Sequence, residues 1–105
     1  MNEDIIYFIL DTNSNAVKIG YSTLNNLKKR IIQLQIGSPN ELKILGVIYG
    51  DRQTENQIHE HFSQYRIRGE WFAYNDEIIK YIDNSWNFDI IESLDKSSYK
   101  KLIIK

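Results

Sequence analysis

The sequence predicts an α+β domain: a small three-stranded antiparallel sheet flanked by helices, in the order β-β-α-β-α-(β)-α. Three observations carry that expectation. Two apolar runs joined by turn residues open the chain, and a helical period then replaces the strand pattern with no regular β-α-β alternation. The length of 105 residues leaves room for one domain, able to bury roughly two thirds of its unfolded surface in one modest core.

Ile5 to Leu10 is a continuous apolar run and reads as a strand buried on both faces. Asp11 to Asn15 is a turn, because short Asx and Ser side chains satisfy turn backbone. Ala16 to Tyr21 completes a hairpin. From about Asn25 to Gln35 Leu27, Ile31 and Leu34 share one helical face, with Ser22 or Thr23 as N-cap. Gly37-Ser38-Pro39 ends that helix, Gly37 suiting the left-handed C-terminal position. Leu42 to Tyr49 reads as a third strand. A second helix is expected over about Arg52 to Tyr65, capped by Asp51 or Thr54. Gly69 breaks the chain before an extended Glu70-Trp71-Phe72-Ala73, and a third helix follows over about Asn75 to Ile82. Beyond 84, Phe88 to Ile91 reads as a short strand and Tyr99 to Ile104 as strand or helix.

Composition narrows the function classes. There is no cysteine, which excludes a disulfide scaffold and thiolate metal or redox chemistry. The six apolar residues after the acidic N-terminus are too few for a signal peptide or membrane span, so the expected location is the cytosol. The 13 Lys and Arg against 14 Asp and Glu argue against a strongly basic nucleic-acid binder. Any phosphate binding has to come from a local patch, with weak affinity supplemented by a protein partner or self-association.

Polar residues placed where apolar ones are expected mark the candidate site. Strand alternation sets Tyr7 with Ile5 and Ile9, and Lys18 with Ala16 and Gly20; an even-numbered turn puts phenol and ammonium on the same face. The bland alternative is a core tyrosine and an edge lysine. Arg30 lies about 60° from the centre of the first helix's apolar face, where its guanidinium either binds an anion or snorkels. On the second helix Glu55 and His59 share the face of Ile58 and Phe62. A carboxylate there must be paired, hydrogen-bonded or metal-bound, a plain Glu55–His59 pair being the simpler reading. His61 points elsewhere, which sets aside a His-x-His zinc site. Around Gly69, Arg66 and Arg68 offer phosphate contacts and Trp71 a stacking surface, although Trp71 and Phe72 read more simply as core plugs.

Taken in order, these residues resemble the GIY-YIG nuclease superfamily, and within it the phage- and virus-type branch that also occurs beside Bro-N domains. The resemblance is carried by Ile6-Tyr7-Phe8, Val17-Lys18-Ile19-Gly20-Tyr21-Ser22, Arg30, Leu34-Gln35, Pro39 and Leu42. Glu55-x-x-Ile58-His59-x-x-Phe62 and Gly69-Glu70-Trp71-Phe72 complete it. It spans about two thirds of the chain. The resemblance implies a divalent-metal-dependent endonuclease acting on DNA more than RNA, with Mg²⁺ or Mn²⁺ as cofactor. It implies Tyr7 as general base or water-orienting group, Arg30 on the scissile phosphate and Glu55 as metal ligand. His59 matches a branch histidine of unassigned role, Gly20 the glycine of the second motif, and Glu70 and Trp71 a signature that is structural or substrate-positioning. Two departures stand out: Ile5-Ile6 replaces the Gly-Ile of the first motif, and Lys18 stands where the second motif has tyrosine, as in some restriction-type members. Lys18 beside Tyr7 is expected to favour the phenolate by lowering its pKa from about 10. The alternative function is a non-catalytic module binding nucleic acid or protein on the same fold.

Overall fold

The computed structural model describes residues 2–85. Two long strands, β1 (Asp4–Asp11) and β2 (Ala16–Thr23), lead into helix α1 (Leu24–Ile36), strand β3 (Leu42–Tyr49) and helix α2 (Arg52–His61). A single 3₁₀ turn (Ser63–Tyr65) then feeds two short strands, β4 (Arg66–Arg68) and β5 (Trp71–Ala73), and helix α3 (Asp76–Ser85). The sheet has five strands in the order β3-β1-β2-β5-β4, every pair antiparallel. The expected α+β class holds, with two more strands than the three anticipated. The readings for 88–91 and 99–104 lie outside the described residues.

β1 is an interior strand between β3 and β2, and its unbroken burial from Ile5 to Leu10 follows from helices on both faces. One face places Ile5, Tyr7 and Ile9 against Leu27 and Ile31 of α1. The other places Ile6, Phe8, Val17 and Ile19 against Ile58 of α2, Phe62 just after it, and Ile78 and Ile82 of α3. A bulge opposite Phe8 and Ile9 adds Leu45 to β3. Among the described residues no helix is long and apolar enough to cross a membrane.

Local chemistry sets the turns. Asp11 Oδ1 accepts the N–H groups of Asn13 (3.0 Å) and Ser14 (3.3 Å), and Asn15 closes the turn at φ 58°. Gly37 departs from the sequence reading: it is right-handed at φ −80°. The loop after α1 is held instead by the Gln35 amide, which donates to the Asn40 carbonyl (2.9 Å) and accepts from Leu42 N–H (2.9 Å). Neither Ser22 nor Thr23 caps α1 through its side chain; Thr23 takes the N-cap position without that bond. Asp51 caps α2 as expected, accepting from Thr54 N–H at 2.9 Å. α2 ends at His61 and not at Tyr65, because the chain tightens through Phe62 and the 3₁₀ turn to enter the sheet at Arg66.

Candidate active site

The outer edge of β2 is covered in two ways. β5 pairs only with Ala16 to Lys18, and the Ile19 N–H reaches the Glu70 carbonyl at 3.0 Å. Beyond Ile19 that edge has no strand partner among the described residues, and side chains from both faces of the sheet meet there.

Tyr7 comes from the α1 side. The register pairs it with Gly20, and Lys18 stands opposite Ile9, so the even-numbered turn does put Tyr7 and Lys18 on one face. The Tyr7 ring crosses β2 directly over Gly20. A Cβ at Gly20 would overlap the ring, with Cε1 at 2.8 Å and Cζ and the hydroxyl nearer still. Gly20, the glycine of the second motif and a tentative substrate contact by the resemblance, is buried and makes room for Tyr7.

Glu55 and His59 come from the opposite side on α2, one helical turn apart. Glu55 is 5% exposed and its Oε2 has no hydrogen-bond partner. His59 Nε2 lies 2.7 Å from the Ile19 carbonyl oxygen, and its ring tilts against Phe72 at 5.1 Å between centroids. Glu70, at the β4–β5 turn where Gly69 adopts φ 55°, completes the group. Glu55, His59 and Glu70 each bring one ligand atom within 4.8 Å of the others. Sequence reasoning kept Glu70 out of the reacting set, since its approach to Glu55 depends on where the β4–β5 hairpin docks.

The electrostatics follow from this crowding. Burial, then the Glu70 charge, pushes the Glu55 carboxyl above the usual carboxylate range, against the opposing pull of His59. Burial likewise pushes the Tyr7 phenol up to about 12, with Glu70 and Glu55 adding to the rise and Arg30 opposing it. The expectation that Lys18 would favour a Tyr7 phenolate is therefore reversed. Lys18 pairs with Glu70, Nζ to Oε1 at 3.2 Å, and lies 5.6 Å from the centroid of the Trp71 ring.

Arg30 is exposed on α1, near enough to Tyr7 to act on its ionisation. Arg66 and Arg68 are exposed on β4, the outermost strand, with Arg66 stacked over Phe72 at 5.3 Å. Phe72 is fully buried and is a core plug as read, whereas Trp71 is only half-buried at the site's rim. The structure thus brings Tyr7, Lys18, Arg30, Glu55, His59 and Glu70 to one strand edge. Arg66 and Arg68 stand further out on the edge strand.

No curated protein and no solved structure matches the chain. A family model does: the T5orf172 domain model matches residues 4–87, from the first residue of β1 to just past α3. That match takes in every residue gathered at the β2 edge, and the chain belongs to the T5orf172 domain family.

Proposed function

We propose that this chain is a GIY-YIG-type endonuclease that hydrolyses nucleic-acid phosphodiesters, DNA in preference to RNA, with a divalent cation. The observation that carries the reading is Glu55: a buried carboxylate with an orphaned oxygen, beside a second carboxylate and near enough to Tyr7 to act on its ionisation. Burying such a group without a counter-charge is costly, and a dication is the counter-charge that suits two carboxylates. Membership of a phage-type family often linked to nucleases supports the same reading.

Glu55 would hold Mg²⁺ or Mn²⁺, which would supply Lewis acidity for phosphodiester hydrolysis. The protein's own groups do the rest. Arg30 directs guanidinium donors to the non-bridging oxygens as negative charge builds on them. Tyr7 remains a protonated phenol at neutral pH, so it orients the attacking water through hydrogen bonds and does not serve as a resting base. Lys18 fixes Glu70 through their ion pair and keeps one cation at the rim, where a phosphate approaches. Trp71, Arg66 and Arg68 extend the surface for bases and backbone.

Supercoiled plasmid, incubated with the protein and Mg²⁺ or Mn²⁺, is expected to be nicked. Glu55→Gln is expected to remove cleavage while circular dichroism remains unchanged. Full cleavage by the variant would sink the assignment. A second reading, a binding module without turnover, is favoured by the raised Tyr7 phenol and the engagement of Lys18 with Glu70. It predicts nucleic-acid binding with no cleavage in either metal and no response to Glu55→Gln.

A further inference from the structure

Three features of the Glu55–His59–Glu70 group bear on what it binds. The first is the orphaned Oε2 of Glu55, on a side chain 5% exposed. Such an oxygen lacks the partner that burial demands. The second is the tautomer of His59. Its Nε2 sits 2.7 Å from the Ile19 carbonyl, and a carbonyl oxygen only accepts. In a neutral His59 ring Nε2 then carries the proton, which leaves the lone pair on Nδ1. Histidines on metals are held this way, the second ring nitrogen donating to a carbonyl or carboxylate. The third is Glu70, whose Oε1 takes Lys18 and whose carboxylate brings an oxygen within 4.8 Å of donor atoms of Glu55 and His59. Its side chain is 41% exposed, so the group is reachable from solvent.

We propose that Glu55, His59 and Glu70 form a three-ligand site for a transition-metal dication of the Zn²⁺, Co²⁺ or Mn²⁺ class. This rests on the hydrolase reading and deepens it, adding the Glu70 carboxylate and the His59 imidazole to Glu55 as ligands. Mg²⁺ takes oxygen ligands and dehydrates reluctantly, whereas imidazole suits the transition metals. Three protein ligands leave open positions for water and a phosphate oxygen.

The test is a Zn²⁺ titration of the full chain without nucleic acid, followed by nitrogen NMR of the histidine rings. The chain has two histidines, and the exposed His61 is the internal reference. One equivalent of Zn²⁺ is expected to move the His59 Nδ1 resonance and leave His61 in place. Calorimetry should show Glu70→Gln weakening Zn²⁺ at least tenfold, since groups that merely orient a ligand are already worth about 10- to 100-fold. His59→Gln should cut the preference for Zn²⁺ over Mg²⁺ by at least tenfold. An unmoved His59 ring, or unchanged Zn²⁺ affinity in Glu70→Gln, overturns the site. Should His59→Gln fail to fold, the wild-type spectrum and the half-exposed Glu70 variant still decide. Plasmid cleavage assayed with Mg²⁺, Mn²⁺, Co²⁺ and Zn²⁺ separates the two readings. Cleavage with no response at His59 refutes the three-ligand site alone, whereas stoichiometric Zn²⁺ at His59 without cleavage supports the site and refutes the hydrolase.

Discussion

At Tyr7, the Arg30 guanidinium on α1 competes with burial and with two carboxylates for control of one phenol. Burial and the carboxylates prevail, and the group ionises near 12. Folding therefore favours the protonated phenol. Its contribution to stability is complete below pH 10 and is lost as pH rises towards 12. Tyr7→Phe removes this dependence. Urea melts are expected to show wild type losing roughly 2–3 kcal/mol more than Tyr7→Phe between pH 9.5 and 12, figures that follow from about 1.4 kcal/mol per pH unit. Tyr21, Tyr65, Tyr74 and Tyr81 are also shifted upward, but they are common to both proteins and cancel in the difference. Parallel curves for the two proteins would contradict the assignment. Alternation and turn length were enough to put Tyr7 and Lys18 on one face. Which neighbour governs Tyr7 depends on Glu70, 63 positions along the chain and invisible to local pattern.

Among the elements, the long ones were legible and the shortest were not. α1 and α2 announce themselves through Leu27 and Ile31 and through Glu55 and Ile58, and their observed buried faces match. β4 and β5 have three residues each, too few for any alternation to register. Their pairing is fixed by tertiary contact with β2 and by the positive φ at Gly69. α3 is tied to β5 through Asn75, whose Oδ1 accepts from the N–H groups of Glu77 (2.9 Å) and Ile78 (3.2 Å). Its Nδ2 donates to the Ala73 carbonyl at 2.7 Å. Asn75→Ala loses this cap and is expected to cost about 1 kcal/mol, or about 4–8 °C in Tm for a domain of this size. A thermal melt within 1 °C of wild type would show that Asn75 contributes nothing beyond its turn.

On the scale of the whole molecule, the formal net charge of −1 limits how nucleic acid is held. Cations near the β2 edge are Lys18, Arg30, Arg52, Arg66 and Arg68, and five phosphate contacts give a slope of about −4.5 in log affinity against log salt. Fluorescence anisotropy on a short duplex between 50 and 200 mM salt is expected to give weak binding with a slope no steeper than this. A markedly steeper slope would mean that residues outside this set carry the contact. A slope of zero would argue for a surface that never meets phosphate. The sheet order explains the layout: by pairing with only half of β2, β5 leaves a gap that α2 fills from one face and Tyr7 from the other.

The amino-acid sequence by itself determined the β1–β2 hairpin, the three helices, the third strand and the unusual placement of Glu55 and His59 on an apolar helical face. These are local properties, set by periodicities of two and 3.6 residues and by turn chemistry. Tertiary structure alone decided that the sheet has five strands and that Gly20 serves as the floor beneath Tyr7. It also decided that Lys18 answers to Glu70, and that Glu70 joins Glu55 and His59. Each depends on which strand docks against the outer edge of β2, and burial at that junction then sets the chemistry of the groups enclosed there.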